Sequence, residues 1–273
     1  MSEKQPEKKK TAGDVVLTVV LIAAICVFCY AGYNLFHIYT EYKKGTDEYN
    51  SITQMAVTER DPDGEAAGPE AGSELKAPMD IDFASLKSVN DDVVGWIYVE
   101  AVPDINYPIV HGKDNETYLH RTYEKNYNFA GTIFVDYENK GDFSDCNTIV
   151  YGHNMKNGSM FGSIHSFEDE TFFDGHPYIY VYTENERLTY EIYEAAKFTD
   201  VYIPSEYVIS SKDDRDQFLA DVREKVSDNK LHVREDMEIG EDDRLITLST
   251  CVSGERNHRY LVIGVLVETA LYR

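Results

Sequence analysis

Cys251 is the residue of this chain whose position points most clearly to chemistry. It ends the apolar stretch LITLST and is followed by the polar loop VSGERNH. A structural thiol is expected inside a strand, whereas a thiol at the end of a strand is accessible to a substrate. Such a thiol reacts as the thiolate, so it needs a base or a cation nearby. The position therefore predicts a nucleophilic cysteine, provided that a suitable partner lies beside it.

His153 is the histidine best placed to be that partner. It directly follows the apolar stretch NTIVYG, so it also lies at the end of a predicted strand. If this strand runs parallel to the strand of Cys251 and beside it, both side chains leave the sheet at the same end, as a Cys–His pair requires. Other histidines lie at the edge of an apolar N-terminal segment or in polar contexts and are interpreted as ordinary surface residues: His37, His111, His120, His165, His176 and His232.

Arg259 is a candidate for a third role at the same place. It opens the last apolar strand, eight residues after Cys251. A hairpin between the two strands would bring its guanidinium back beside the thiol. An arginine cannot act as a base near neutral pH, so its plausible roles are to donate to an oxyanion and to orient a substrate carbonyl.

A disulfide between Cys146 and Cys251 is the main structural alternative. Cys146 begins the strand CNTIVYG, whereas Cys251 ends its own strand. In parallel strands the two thiols would lie at opposite ends, about 16 Å apart for five residues at ~3.3 Å each. A disulfide requires a Cα–Cα distance of about 4.4–6.8 Å. The pattern disfavours the disulfide without removing it, and Cys146 is interpreted as a partly buried structural residue.

The elements that must position these residues are mostly strands. From about Asp80 onward, apolar and aromatic runs predict eight of them: VVGWIYV, INYPIV, GTIFVDY, NTIVYG, PYIYVYT, RLTYEIYEAAKF, DRLITLST and RYLVIGVLVE. Two helices are predicted, a short one over DFASLKSVN and an amphipathic one over SKDDRDQFLADVREKVSDN, before the cysteine strand. Many strands with few helices favour a mainly β, barrel-like domain over a βαβ repeat.

Residues 15–36 form an apolar segment of 22 residues without a charge, and four lysines precede it. A helix of this length spans about 33 Å, enough to cross a bilayer. The segment is longer than the apolar core of a signal peptide, and no good cleavage or lipidation site surrounds Cys26 or Cys29, so an uncleaved signal anchor is predicted. The CxxC spacing of these two cysteines is interpreted as incidental to the span. Lysines on the N-terminal side place that end in the cytoplasm.

Composition divides the chain into a cytoplasmic N-terminus (residues 1–14), a transmembrane signal anchor (15–36), an extracellular stalk and linker (37–79) and one globular domain (80–273). The linker is assigned because residues 61–78 are rich in Pro, Gly, Ala and acidic residues. The net charge of −23 argues against binding to nucleic acid. With no Walker loop, dinucleotide-type glycine pattern or paired CxxC zinc spacing, neither a cofactor nor a metal is predicted.

Taken together, these motifs resemble those of the sortases, membrane-anchored cysteine transpeptidases of Gram-positive bacteria. The resemblance rests on TLSTC, on the arginine that leads an apolar strand after it, and on NTIVYGHNM upstream. The segments DFASLKSVNDDVVGWIYV, INYPIVHGKDNETYL and AGTIFVDYEN, with the helix before the cysteine strand, are similar to class B members. The resemblance implies an eight-stranded sortase-type β-barrel with an N-terminal helix, preceded by a single transmembrane helix.

The same resemblance implies a role for each candidate. Cys251 would be the nucleophile, His153 the general acid/base, and Arg259 the group that stabilises the substrate carbonyl and the oxyanion. Ser249 and Tyr151, which flank the site, are expected to contact the substrate. The spacing from the cysteine to the arginine is two residues shorter than in the class B pattern, so Arg256 remains a competing candidate.

The implied activity is a transpeptidation at the cell membrane, with the catalytic domain outside the cell. A C-terminal, NPxTx-like sorting signal of a secreted protein would be cleaved through a thioester acyl-enzyme, and the protein transferred to an amine of a peptidoglycan precursor. Loop shape, for example over Thr199–Ser211, would set the sorting motif. The alternatives are a pilin-polymerising sortase with a lysine acceptor, a surface cysteine protease, and, from a different class, a membrane-tethered β-barrel binding module.

Overall fold

The computed structural model describes residues 11–60, 78–175, 178–225 and 230–271, and its strands follow the apolar runs of the sequence. Within these residues the strands are β1 (Val57–Glu59), β2 (Met79–Ile81), β3 (Val93–Val99), β4 (Asn106–His111), β5 (Ile133–Val135), β6 (Asn147–Tyr151), β7 (Tyr178–Tyr182), β8 (Glu186–Thr199), β9 (His232–Val233), β10 (Leu245–Val252) and β11 (Glu255–Leu271). The helices are α1 (Ala12–Ala56), α2 (Phe83–Val89), α3 (Glu170–Gly175), α4 (Ile203–Glu206) and α5 (Lys212–Lys225), with 3₁₀ helices at Tyr118–His120 and Gly162–Glu168.

Eight of these strands close into a barrel in the order β11-β10-β6-β5-β4-β3-β7-β8, and β8 pairs back onto β11. The closing pair is the longest, since its register runs from Leu271 opposite Glu186 to His258 opposite Thr199. The two-residue strand β9 adds to the other edge of β8. The prediction of a mainly β, eight-stranded barrel is confirmed.

Most neighbouring strands of the barrel are antiparallel, but β6 and β10 run parallel, as do β4 and β5. The β6–β10 pairing matters for the site because these strands carry the candidate base and the candidate nucleophile. Parallel neighbours end at the same edge of a sheet, so residues that follow them meet there. The adjacency assumed from the sequence is therefore present in the fold.

Helix α5 packs on the barrel through the apolar stripe that the sequence predicted. Phe218, Leu219 and Val222 are buried, and the ring of Phe218 lies 5.9 Å from that of Phe198 on β8. The shorter helix α2 is capped by Asp82, whose carboxylate accepts a hydrogen bond from the backbone of Ser85. Both predicted helices are thus present in the expected order.

Contact density divides the chain into two compact units, residues 1–46 and 47–273. Helix α1 is one continuous helix of 45 residues, longer than the predicted span of 15–36, and it is long and apolar enough to cross a membrane. The second unit begins at Asp47 and includes the buried residues Tyr49, Ile52 and Ala56. The domain bounds drawn from composition stay a prediction. Residues 61–77, the core of the predicted linker, lie outside the described residues.

Candidate active site

The parallel register of β6 and β10 brings the candidate nucleophile and base to one end of the barrel. Tyr151 lies opposite Ser249, and the backbone amide of Gly152 donates to the carbonyl of Ser249 at 3.2 Å. His153 and Cys251 each follow two residues after this pair, so both leave the sheet at the same edge. The predicted meeting of a thiol and an imidazole at this edge is present in the structure.

A tight turn after β6 fixes the direction in which His153 leaves the strand. A Cβ added at Gly152 would lie 2.6 Å from the Cδ1 of Ile133 and from ring atoms of Phe161, so only glycine fits between them. The carbonyl of His153 then accepts a hydrogen bond of 3.0 Å from the amide of Phe161. The backbone of His153 is therefore fixed by the packing of Gly152 before it and by the hydrogen bond from Phe161.

The hydrogen bonds of His153 determine which ring nitrogen is the base. Its Nε2 lies 2.7 Å from the carbonyl oxygen of Leu119. A carbonyl only accepts, so Nε2 carries the hydrogen and Nδ1 is the basic nitrogen of the neutral ring. Burial lowers the pKa of His153 below its ordinary value of 6.5, His120 lowers it further, and the bond to Leu119 opposes the shift. The neutral imidazole is thus favoured at neutral pH.

Arg259 lies directly across the β10–β11 hairpin from Cys251, as their Cα atoms form a register pair. Its Nη1 donates to two carbonyls of its own loop, those of His258 at 3.0 Å and Arg256 at 3.4 Å. A guanidinium has five N–H donors, so these contacts leave donors for a substrate oxygen. Arg256 is exposed, and it is not among the residues that line the cavity beside Cys251.

A cavity of about 290 Å³ joins the candidate residues. Cys251, His153, Arg259, Ser249 and Tyr151 all line it. The remaining wall is largely apolar and comes from the end of β8, from α4 and from the loops around β5: Asn115, Leu119, Phe134, Gly152, Phe198, Thr199, Asp200, Val201, Tyr202, Ile203, Thr250 and Leu261. The structure therefore brings all five predicted site residues to one cavity.

A buried carboxylate organises one wall of this cavity. Asp136 accepts hydrogen bonds of 3.0 Å from the hydroxyls of both Tyr151 and Tyr202, and one of 2.9 Å from the amide of Asn115. Burial, followed by the charge of Asp136, raises the pKa of both tyrosine hydroxyls. The hydroxyls therefore stay protonated and donate to Asp136, which fixes both rings at the cavity surface. Neither Asp136 nor Tyr202 was singled out from the sequence.

Two histidines interpreted as ordinary surface residues, the exposed His120 and the partly buried His165, lie beside the candidate pair. The ring of His120 stacks on that of His153, with centroids 5.7 Å apart and planes at 16°. His165 Nε2 lies 3.1 Å from the carbonyl oxygen of Cys251. His120 ends the 3₁₀ helix Tyr118–His120, and His165 belongs to the 3₁₀ helix Gly162–Glu168. Neither follows a strand end, which was the signal used to find His153.

The alternative of a disulfide is not seen in the structure. All four cysteines have free thiols. Cys146 directly precedes β6, where its carbonyl accepts from the amide of Leu245, the first residue of β10. Cys251 lies at the opposite end of the same strand pair. Among the described residues, moreover, no group of three or more His, Cys, Asp or Glu side chains is arranged to hold a metal ion.

Comparisons with known proteins agree with this site. A family model for the sortase domain matches residues 97–267. Sortase B of Listeria monocytogenes serovar 1/2a is 37% identical over 173 residues, which cover 62% of this chain and 67% of that protein. The crystal structure of Clostridium perfringens sortase B superposes with a TM-score of 0.61 at 35% identity, covering 68% of this chain and 100% of that one.

A third relative is Spy0129, described as a class B sortase of Streptococcus pyogenes involved in pilus biogenesis. Its structure superposes with a TM-score of 0.58 at 28% identity, over 68% of this chain and 98% of that one. The segment matched by the family model includes most of the barrel and all the residues of the candidate site named from the sequence. The chain therefore belongs to the sortase family, with its structural relatives in class B, and is a cysteine transpeptidase.

Proposed function

We propose that this chain cleaves an NPxTx-like sorting signal near the C-terminus of secreted proteins and transfers each protein to an amine of the cell wall. The observation that carries the proposal is the shared cavity, in which a strand-end thiol, an imidazole and a guanidinium face an apolar wall. Such a cavity suits an extended peptide whose apolar side chains bind the wall while one carbonyl reaches the thiol.

In the first half-reaction, Cys251 attacks the backbone carbonyl of the sorting-signal threonine. The thiol proton passes to Nδ1 of His153, and the carbonyl electrons move to an oxyanion that accepts hydrogen bonds from Arg259. When this tetrahedral intermediate collapses, the C–N bond breaks and the leaving amine takes the proton from His153. The product is a thioester between Cys251 and the secreted protein.

The second half-reaction reverses these roles. An acceptor amine attacks the thioester carbonyl and gives its proton to His153, and the C–S bond breaks as the new amide forms. The sulfur recovers a proton from His153, which returns the enzyme to its starting state. Ser249 and Tyr151 line the cavity beside the thiol and are assigned to substrate binding.

The proposed arrangement at the membrane follows from α1. Residues 15–36 span the bilayer, residues 1–14 lie in the cytoplasm, and the unit from residue 47 onward faces outward. Substrates retained in the same membrane would meet the enzyme at a high local concentration, which compensates for weak intrinsic affinity. Residues 199–203, which line the cavity, and the adjoining stretch to Ser211 are assigned to the choice of sorting motif.

A second acceptor is proposed as an alternative, because one relative, Spy0129, is described as involved in pilus biogenesis. In that alternative the amine is a lysine side chain of a pilin subunit rather than an amine of the peptidoglycan precursor. The chemistry at Cys251 is the same, so only the acceptor distinguishes the two functions.

The test uses the full chain in detergent micelles with a fluorogenic NPxTx-type peptide. We expect cleavage by the wild type, a mass shift on Cys251 for the thioester, and no cleavage by Cys251→Ala. Arg259→Ala is expected to lower kcat/KM by about 10²–10³ because it removes oxyanion donors. The matched change Arg256→Ala is expected to leave kcat/KM nearly unchanged.

Two outcomes would contradict the assignments. Cleavage that survives Cys251→Ala removes the nucleophile, and equal losses in the two arginine variants remove the role of Arg259. Competition between a cross-bridge-like peptide amine and a lysine-containing pilin peptide identifies the acceptor, since only the true acceptor increases turnover and appears in the ligated product.

A further inference from the structure

The backbone carbonyl of Cys251 lies beyond the end of the β6–β10 ladder. The carbonyl of Ser249 points towards β6, where it accepts from the amide of Gly152. Carbonyls two residues apart along a strand point to the same side, so that of Cys251 also points towards β6. The chain of β6 has already turned away at Gly152, which leaves this carbonyl without a strand partner on that side.

Side chains take the place of the missing strand. Nδ2 of Asn154 donates to the Cys251 carbonyl oxygen at 2.7 Å, and Nε2 of His165 lies 3.1 Å from the same oxygen. The two side chains also touch each other, with 3.0 Å between Asn154 Nδ2 and His165 Nε2. Hydrogen bonds from side chains thus end the ladder at the residue assigned as the nucleophile.

Glu168 and Tyr260 hold His165 in this position. Nδ1 of His165 lies 2.7 Å from Oε1 of Glu168, and the other carboxylate oxygen of Glu168 pairs with Lys230. Burial raises the pKa of the Glu168 carboxyl, but the bonds from Lys230 and His165 outweigh it and leave the pKa below the ordinary value. The ring of His165 stacks on the buried ring of Tyr260, with centroids 4.8 Å apart.

Both protonation states of His165 keep the Cys251 carbonyl bonded. An ionised Glu168 accepts the hydrogen on Nδ1. In the neutral ring, Nε2 then accepts from Asn154, whose second N–H donates to the carbonyl. In the charged ring, Nε2–H donates to the carbonyl directly. The hydrogen bonding of the Cys251 carbonyl therefore does not depend on one charge state of His165.

We propose that Asn154, His165 and Glu168 form a positioning group that fixes the backbone of Cys251, and thereby the direction of its sulfur, for attack on the substrate. The proposal rests on the proposed function of Cys251. The hairpin register shifts between Cys251 and Val252, so the ladder to β11 becomes irregular just where β6 ends. None of the three positioning residues lines the cavity, so they act through Cys251 rather than on the substrate.

The experiment measures kcat and KM of the full chain for the sorting peptide in wild type, His165→Ala and His165→Gln. In His165→Ala the Cys251 carbonyl loses either the bond from the ring or the ring that holds the Asn154 amide in place, so kcat is expected to fall about tenfold, with KM nearly unchanged. The amide of His165→Gln can still donate, and kcat is expected to recover to within about threefold of wild type. His232→Gln is the matched control, because Nε2 of His232 lies 3.0 Å from the backbone carbonyl oxygen of Glu168. This variant is expected to keep wild-type kinetics.

Several outcomes would overturn the proposal. The first is an unchanged kcat in His165→Ala, and the second is a change in KM alone in that variant. The third is that His165→Ala and His165→Gln lose kcat and melting temperature equally. If His165→Ala does not fold, Asn154→Leu decides, since it removes the other donor without adding a charge. A lowered kcat with an unchanged melting temperature supports the proposal, and an unchanged kcat overturns it.

Cys251→Ala is assayed in parallel to separate the two proposals. Residual cleavage by that variant contradicts the function proposed for Cys251. An inactive Cys251→Ala together with a fully active His165→Ala contradicts the positioning group alone.

Discussion

At the scale of single residues, the environment of His153 explains how a partly buried imidazole can serve as a base. Its Nε2 is occupied by the Leu119 carbonyl, which leaves Nδ1 for proton transfer. Burial keeps the ring neutral, and the stacked ring of His120 adds to this effect whenever His120 carries a charge. The availability of the base at mildly acidic pH therefore depends on a second histidine.

A pH profile tests this dependence. In His120→Gln the like charge is removed, so the pKa of His153 is expected to rise, while the similar size of glutamine preserves most of the burial. A raised pKa means that His153 becomes protonated at higher pH, so the acidic limb of the kcat/KM profile is expected to move to higher pH. The measurement is peptide cleavage from about pH 5 to 9, the range that spans histidine titration.

His232→Gln serves as the control for the loss of a histidine far from the imidazole pair. An acidic limb that stays in place in His120→Gln, or that moves to lower pH, would contradict the assigned interaction between the two rings.

The sequence was sufficient to select Cys251, His153 and Arg259 as candidates that line one cavity, because each adjoins the end of an apolar run. His120 and His165 were missed because their contacts depend on how irregular loops fold back onto the site. His165, for example, lies 86 residues before Cys251 in the chain. Loop conformation of this kind leaves no periodic signal in a single sequence.

At the scale of elements, helix α5 is joined to the barrel by a charged contact as well as by its apolar stripe. Glu194 of β8 is fully buried, and its Oε2 lies 3.3 Å from Nε of Arg223 on α5. Its other oxygen, Oε1, has no hydrogen-bond partner among the described residues. Burial raises the pKa of Glu194 to about 7, against the lowering effect of Arg223, with a further rise from Glu235.

This raised pKa predicts a pH-dependent stability. The unfolded chain gives up the Glu194 proton near its ordinary pKa of 4.5, whereas the folded chain holds it to about 7. Stability from this group is therefore lost as pH rises from 4.5 through 7. Glu194→Gln is expected to raise the free energy of unfolding by about 1–3 kcal/mol at pH 8.

The free energies of unfolding of the wild type and of Glu194→Gln are measured by urea denaturation at pH 8 and at pH 4.5. The gain from Glu194→Gln is expected to shrink at the lower pH, where the wild-type carboxyl is protonated in the folded chain and about half protonated in the unfolded chain. An equal gain at both pH values would show that the effect comes from packing rather than from the charge.

The strands themselves were predicted well because buried strands in this chain are continuous apolar or aromatic runs. Their ends were less well predicted. The run GTIFVDY forms a strand only over Ile133–Val135, and the chain then enters the turn around Asp136. The long register of β8 with β11 extends past the predicted runs, because pairing across the barrel carries polar residues such as Glu186 and Thr199 into the ladder.

At the scale of the whole molecule, the chain has two compact units, and the proposed membrane arrangement depends on α1 and on the lysines that precede it. Composition located the apolar segment, but it gave no signal for the buried residues that follow this segment in α1. One side of helix α1 is buried over residues 47–56. The sequence predicts a stalk for this segment, and only the fold shows what covers it.

Thiol labelling on intact cells tests the proposed orientation. A membrane-impermeant maleimide is expected to modify the exposed Cys251 from outside, while Cys26 and Cys29 stay unmodified within the lipid. The modified peptide is identified by mass spectrometry, with Cys146→Ser used to remove the second exterior thiol. Labelling of Cys251 only after the cells are permeabilised would reverse the orientation.

The parallel pairing of β6 with β10 also has a consequence for the time at which the enzyme becomes active. Cys251 follows His153 by 98 positions in the chain, and β10 lies in the barrel between β6 and β11. As the chain emerges during synthesis, the imidazole is exposed long before the thiol exists, and contacts so distant in sequence form late in folding. The two reactive groups meet only when the final hairpin inserts and closes the barrel. A nascent or partly folded chain therefore lacks the assembled cavity, and we expect activity to appear only once the barrel has closed.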